Sequence, residues 1–133
     1  MTAENKLTVF AEFGGAYLWI KPASDQTARL GLNIGNARNG VPQEYRISPL
    51  LQEDFRAWIV KWETMVLPKV EYGPEKIAPK TFWEEINGEG MALANRLKSE
   101  VGEHYMVEYH PPWHETGSDG NWHIIPSSPS PNS

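Results

Sequence analysis

No cysteine occurs in the 133 residues, which excludes disulfides, thiolate zinc sites and cysteine nucleophiles. Long apolar runs are missing as well. Leu7–Phe13 and Ala16–Ile20 are the most hydrophobic stretches, and neither approaches the roughly 20 residues that a membrane-spanning helix needs. Residues 1–6 show no basic region leading into a long apolar segment, so no signal peptide is expected and the expected location is cytoplasmic. Catalytic signatures such as G-x-S-x-G are lacking. Gly31, Gly35 and Gly40 match neither G-x-G-x-x-G nor the Walker spacing and read as turns. A basic stripe suited to duplex nucleic acid is also lacking, so neither nucleic acid nor membrane is an expected partner.

What charge there is lies unevenly. Residues 1–47 hold five Lys/Arg against four Asp/Glu, whereas residues 48–133 hold seven against thirteen, and the chain totals −5. An acidic surface repels phosphate and favours a basic partner, although acidity also simply maintains solubility. The length suits one domain with a core of its own.

Hydrophobic periodicity outlines the scaffold. Leu7–Phe13 reads as a strand with Leu7, Val9, Ala11 and Phe13 on one side, Gly14-Gly15 as a two-residue hairpin turn, and Ala16–Lys21 as the returning strand, ended by Pro22. Tyr17 and Trp19 fall on one face of that strand. Arg29–Ile34 is expected as a third strand. Ser48-Pro49 is a helix start, with serine capping and proline at the first helical position. Leu51, Phe55, Trp58, Trp62, Met65 and Val66 then share one helical face up to Pro68. Thr81 and Glu84 have the spacing of a capping box at the start of a second helix, which runs to Gly102. Within it Phe82, Ile86, Gly90, Leu93, Leu97 and Val101 fall in an arc of about 100° at ~100° per residue. A glycine inside that stripe costs about 0.5–1 kcal/mol, which is tolerable where a ring or backbone must come close. Asn87–Gly90 leaves a kink open. Tyr105–Tyr109 is the last firm strand, and 121–125 an added edge strand.

This order predicts an α+β fold, a small mainly antiparallel sheet with two amphipathic helices packed on one face. The expected domain covers residues 1–125, followed by a disordered Pro/Ser-rich tail over 126–133.

The densest polar cluster is His110-Pro-Pro-Trp-His114-Glu115, flanked by His104 and His123. Two prolines between His110 and His114 prevent the helical stacking that zinc-binding i, i+4 histidines use. No metal, no cofactor and no catalytic residue is therefore expected. A pocket near the His104–Glu115 loop, serving a small-molecule-binding protein or an enzyme, is the alternative reading.

Binding signals are better developed. Glu85 and Glu89 lie one turn apart with no Lys or Arg four residues on, and Glu84 extends the group. These carboxylates are candidates for meeting a basic protein surface, or else are solvated or paired from elsewhere in the fold. Tyr72 and Trp113 in expected loops are candidate aromatic anchors, or else lids over the core.

Phe82, Glu89-Gly90, Leu93-Ala94, Leu97, Ser99-Glu100-Val101-Gly102 and Val107-Glu108-Tyr109 together resemble the closing segment of small immunity proteins encoded beside bacterial polymorphic toxins, including contact-dependent growth inhibition systems. The helix after Ser48-Pro49, with Trp58 and Trp62, is similar in style to the helix preceding that segment. The resemblance covers about half the chain and consists mostly of packing residues. It implies a cytoplasmic, non-enzymatic protein that binds one cognate toxin domain and covers its active site or substrate surface. Many such toxins are basic nucleases, which an acidic inhibitor would suit.

Overall fold

Leu7 and Val9 alternate with Lys6 and Thr8 along the first strand, and every neighbouring strand takes its register from them. A computed structural model describes residues 4–25, 27, 30–66, 68, 79–111 and 123–126. Tyr72, Trp113 and the tail from 127 onwards lie outside these residues, as do His114 and Glu115. The described elements are β1 (Asn5–Glu12), β2 (Ala16–Pro22), β3 (Leu32–Asn36), a 3₁₀ turn (Gln43–Tyr45), α1 (Pro49–Val66), α2 (Lys80–Val101), a second 3₁₀ turn (Gly102–His104), β4 (Tyr105–Tyr109) and β5 (His123–Ile125). The strands form one sheet in the order β3-β2-β1-β4-β5. β1 and β4 run parallel, and the other pairs are antiparallel. The expected α+β architecture is present.

Both helices pack on the same face of the sheet. Ser48 caps α1 as expected, its Oγ accepting the Leu51 N–H at 3.2 Å, and the helix ends two residues before Pro68. Leu51, Phe55, Trp58, Trp62 and Val66 are buried, joined by Ile59, while Met65 is only partly covered. α2 is unbroken through Asn87–Gly90, and its six-residue stripe is buried throughout. Gly102 ends it with φ of 60° and an N–H donated to the Lys98 carbonyl.

Local chemistry departs from expectation in five places. Thr81 does not cap α2: the helix begins one residue earlier, Pro79 stands at the cap, and its carbonyl accepts the Phe82 N–H at 3.0 Å. With Thr81 already inside the first turn, its hydroxyl has no cap position to fill. The β1–β2 turn has three residues rather than two, with Glu12 paired to Ala16 across Phe13-Gly14-Gly15. Phe13 is consequently in the turn: its ring lies on the helix side against Trp62 at 5.1 Å, but it is 38% exposed rather than buried like Leu7, Val9 and Ala11. β3 starts at Leu32 rather than Arg29, because Gly31 sits at φ of +84°, where a Cβ would run into the Ile20 carbonyl, a conformation that interrupts an extended strand.

The fifth departure concerns Tyr17 and Trp19, which do not share a face. The β1–β2 register slips between Val9 and Glu12, and the β2–β3 register slips around Leu18. Such bulges re-aim a side chain. Tyr17 is turned into the helix-side core and stacks on Phe55 at 4.9 Å and 5°. Trp19 stays opposite Thr8 and donates its indole N–H to the Phe10 carbonyl at 3.2 Å.

The sheet face away from the helices is not simply solvated. Lys6, Thr8, Lys21 and Glu108 are all buried there. Thr8 Oγ1 donates to Glu108 Oε1 at 2.8 Å, and the Lys6 and Lys21 ammoniums lie 3.7 and 3.9 Å from the same carboxylate. Lys21 also donates to the Thr27 carbonyl at 2.7 Å. Buried charge persists only where it is paired and hydrogen-bonded in this way.

Candidate functional site

Glu84, Glu85 and Glu89 lie on the first turns of α2, close to α1. Because the two helices run antiparallel, Lys61 of α1 faces this group. Its ammonium is 2.8 Å from Glu85 and 3.1 Å from Glu89. The hydrogen bond to Glu85 is the largest influence on the Lys61 ammonium; burial, the next, opposes it, and with the Glu89 hydrogen bond added the ammonium is held above the usual lysine pKa. Glu84 pairs along its own helix with Lys80 at 3.8 Å. The like-charge repulsion legible in the sequence is thus relieved inside the chain, by a residue 24 positions from Glu85. Tyr72 and Trp113, the aromatic candidates, are outside the described residues.

Further along the helix pair, Arg96 and Asp54 form a second bridge at 2.6 Å. Between the two bridges lies a groove of about 300 Å³ floored by Ala57, Trp58, Ala92 and Leu93. Trp58 is locked by donating its indole N–H to the Ile86 carbonyl at 2.9 Å. Paired charges at both ends and small residues between them leave a shallow apolar seat without excess charge.

A second group of carboxylates is gathered at the opposite end of α2. Glu4, Glu44, Glu100 and Glu103 line a cleft of about 900 Å³ together with Arg46 and His104. Four carboxylates against one guanidinium leave this cleft strongly negative. Neither Glu4 nor Glu44 has a cationic partner within ion-pair distance among the described residues. Two aromatic rings, Tyr45 and Tyr105, border the cleft 6.0 Å apart. Burial, then the Glu44 carboxylate and Tyr105, push the Tyr45 phenol above its ordinary pKa, so it stays a neutral hydrogen-bonding group.

The cleft is held in shape from several sides. Glu100 accepts the Ser48 N–H at 2.7 Å and its hydroxyl at 2.6 Å, tying the C-terminal end of α2 to the start of α1. Arg46 takes a left-handed conformation, φ of 55°, that closes the 3₁₀ turn carrying Tyr45. Lys98 donates to the Gly102 and Tyr105 carbonyls at 2.8 Å each, fixing the turn from α2 into β4. The cleft is not legible in the sequence, because Glu4 and Glu44 are far along the chain from Glu100 and Glu103 and only the fold brings them together.

The His104–Glu115 segment does not form one pocket among the described residues. His104 lines the acidic cleft, whereas His110 follows the far end of β4, about 20 Å away at ~3.3 Å per residue. His110 packs edge-on against Phe10 at 4.9 Å, and burial is the main cause that lowers its pKa. The described residues contain no group of three side chains suited to hold a metal ion, and no described helix is long and apolar enough to cross a membrane.

No protein family, no curated protein and no solved structure matches the chain.

Proposed function

We propose that the chain is a protein-binding inhibitor, an immunity protein that neutralises a cognate bacterial toxin domain by covering its active site or substrate surface. The observation that carries this reading is the acidic cleft at the C-terminal end of α2. Its glutamates offer charge to a basic partner, and Tyr45 and Tyr105 offer the rigid amphipathic surface that protein interfaces favour. A basic nuclease domain is the partner chemistry that suits such a surface, and the protein acts as a stoichiometric blocker in the cytoplasm rather than as an enzyme. Glu84, Glu85 and Glu89, being paired with Lys61 and Lys80, belong in this reading to the margin of the interface rather than its centre.

The test is co-expression with the product of the adjacent gene, purification through one partner, and identification of the other by mass spectrometry. Stoichiometric recovery of a basic domain that dissociates as salt is raised is the expected result. Recovery of this chain alone would overturn the reading.

A further inference from the structure

A second cleft, of about 800 Å³, lies between the turn after β3 and the N-terminal half of α1. That size falls within the roughly 300–1,000 Å³ of small-molecule sites. Tyr17 forms part of its wall. The ring is held in the core against Phe55, and the residue is fully buried. Its hydroxyl makes no hydrogen bond among the described residues. Glu53 lines the same cleft as Tyr17. The hydroxyl is not one of the sealed polar atoms of the core, and without a protein partner it adds nothing to the fold that phenylalanine would not.

The turn itself offers no backbone cradle. Ala37 donates its N–H to the Gly15 carbonyl at 2.9 Å, and Arg38 and Asn39 donate theirs to Asn36 Oδ1 at 3.0 and 2.8 Å. Gly40 donates to the Asn36 carbonyl at 2.8 Å, and Val41 to Gln52 Oε1 at 3.0 Å. With those amides spent, a ligand must be held by side chains. Arg38 and Arg56 line the cleft against the one carboxylate of Glu53, a positive balance on a molecule of net charge −5. Arg56 is 3.7 Å from Glu53, whereas Arg38 has no carboxylate partner among the described residues. Planar guanidiniums match the fork of a carboxylate, whereas a tetrahedral phosphate is typically cradled by free backbone amides.

We propose that this cleft binds a small organic carboxylate, held by the guanidiniums of Arg38 and Arg56 and by a hydrogen bond donated from the Tyr17 hydroxyl. The site is separate from the acidic cleft, and its occupancy does not depend on the toxin-binding reading.

The test is a titration of the full chain followed by backbone amide NMR shifts, with sodium malate as probe and sodium phosphate in parallel at matched ionic strength. Malate should cause saturable shifts confined to residues 36–41 and 49–56. Tyr17→Phe and the exposed Arg38→Gln should each weaken malate binding about tenfold, the effect expected of losing one charge-assisted hydrogen bond. Without ligand, Tyr17→Phe should melt no lower than the parent, which a purely structural hydroxyl would not allow. Phosphate binding as tightly as malate would overturn the carboxylate assignment. Absence of saturable shifts, or malate affinity unchanged in Arg38→Gln, would overturn the site.

Discussion

The phenol ring of Tyr109 lies across Gly90, so close that a methyl group on Gly90 would sit 2.7 Å from both Cζ and Oη of the ring. The ring has little freedom to retreat, because its hydroxyl donates to Asn87 Oδ1 at 2.7 Å and the residue is buried. One glycine thus sets how closely α2 approaches β4. Gly90→Ala is expected to destabilise by about 1–3 kcal/mol through overpacking, where helix propensity alone would give a gain of about 1 kcal/mol. Gly90→Leu should cost more. Urea unfolding measures both, and a raised midpoint for either would show that the ring yields freely.

Glu108 holds two lysines on the helix-free face of the sheet. Glu108→Gln keeps the shape and can still accept from Thr8, but removes the counter-charge of Lys6 and Lys21. Breaking a buried pair in this way costs about 3–5 kcal/mol. Denaturant unfolding should show a loss in that range, and a loss below about 1 kcal/mol would mean that water reaches the lysines.

Tyr17 predicts a response to alkali. Burial first, and then Glu53, push its phenol up from 10.0 to about 12. The folded chain therefore holds this proton more tightly than the unfolded one. The associated stability is complete below the unfolded value and is lost as pH rises through the folded value, amounting to roughly 2–3 kcal/mol. In Tyr17→Phe that part of the decline should vanish. Stability curves of parent and variant that stay parallel across this window would contradict the assignment.

Lys61 bridges α1 to two glutamates of α2 on a partly exposed surface. Lys61→Met should cost only about 0.5–1 kcal/mol in low salt, and less as salt screens the pair. A loss of several kcal/mol, insensitive to salt, would show that the methylene stem of Lys61 packs rather than that its charge matters.

Elements governed by local pattern were legible in the sequence: the Ser48 cap, the buried stripes of both helices, and Tyr105–Tyr109 as a strand. Gly90 was legible too, since a glycine amid a regular apolar stripe already implies a close neighbour, and Tyr109 is that neighbour. Features that depend on residues distant in the chain were not. Lys61 is 24 and 28 residues from the glutamates it pairs with, and the acidic cleft draws on three separate segments. Tyr17 was misplaced because a bulge breaks the simple alternation of a strand. Lys6 and Lys21 sit where alternation predicts solvent, and their burial follows only once Glu108 is brought beside them. Of the proposed contact residues, Glu84, Glu85 and Glu89 are present on the surface but already paired.

Docking of a basic protein on the acidic cleft bordered by Tyr45 and Tyr105, as proposed above, can be tested at its carboxylates. The most direct measurement is the affinity of the co-purified partner for the Glu44→Lys, Glu103→Lys double variant, with Glu84→Lys as a control elsewhere on α2. The double variant should lose at least about tenfold in affinity, partly through slower association, with little change for the control. Equal affinity for the double variant and the parent would contradict that docking.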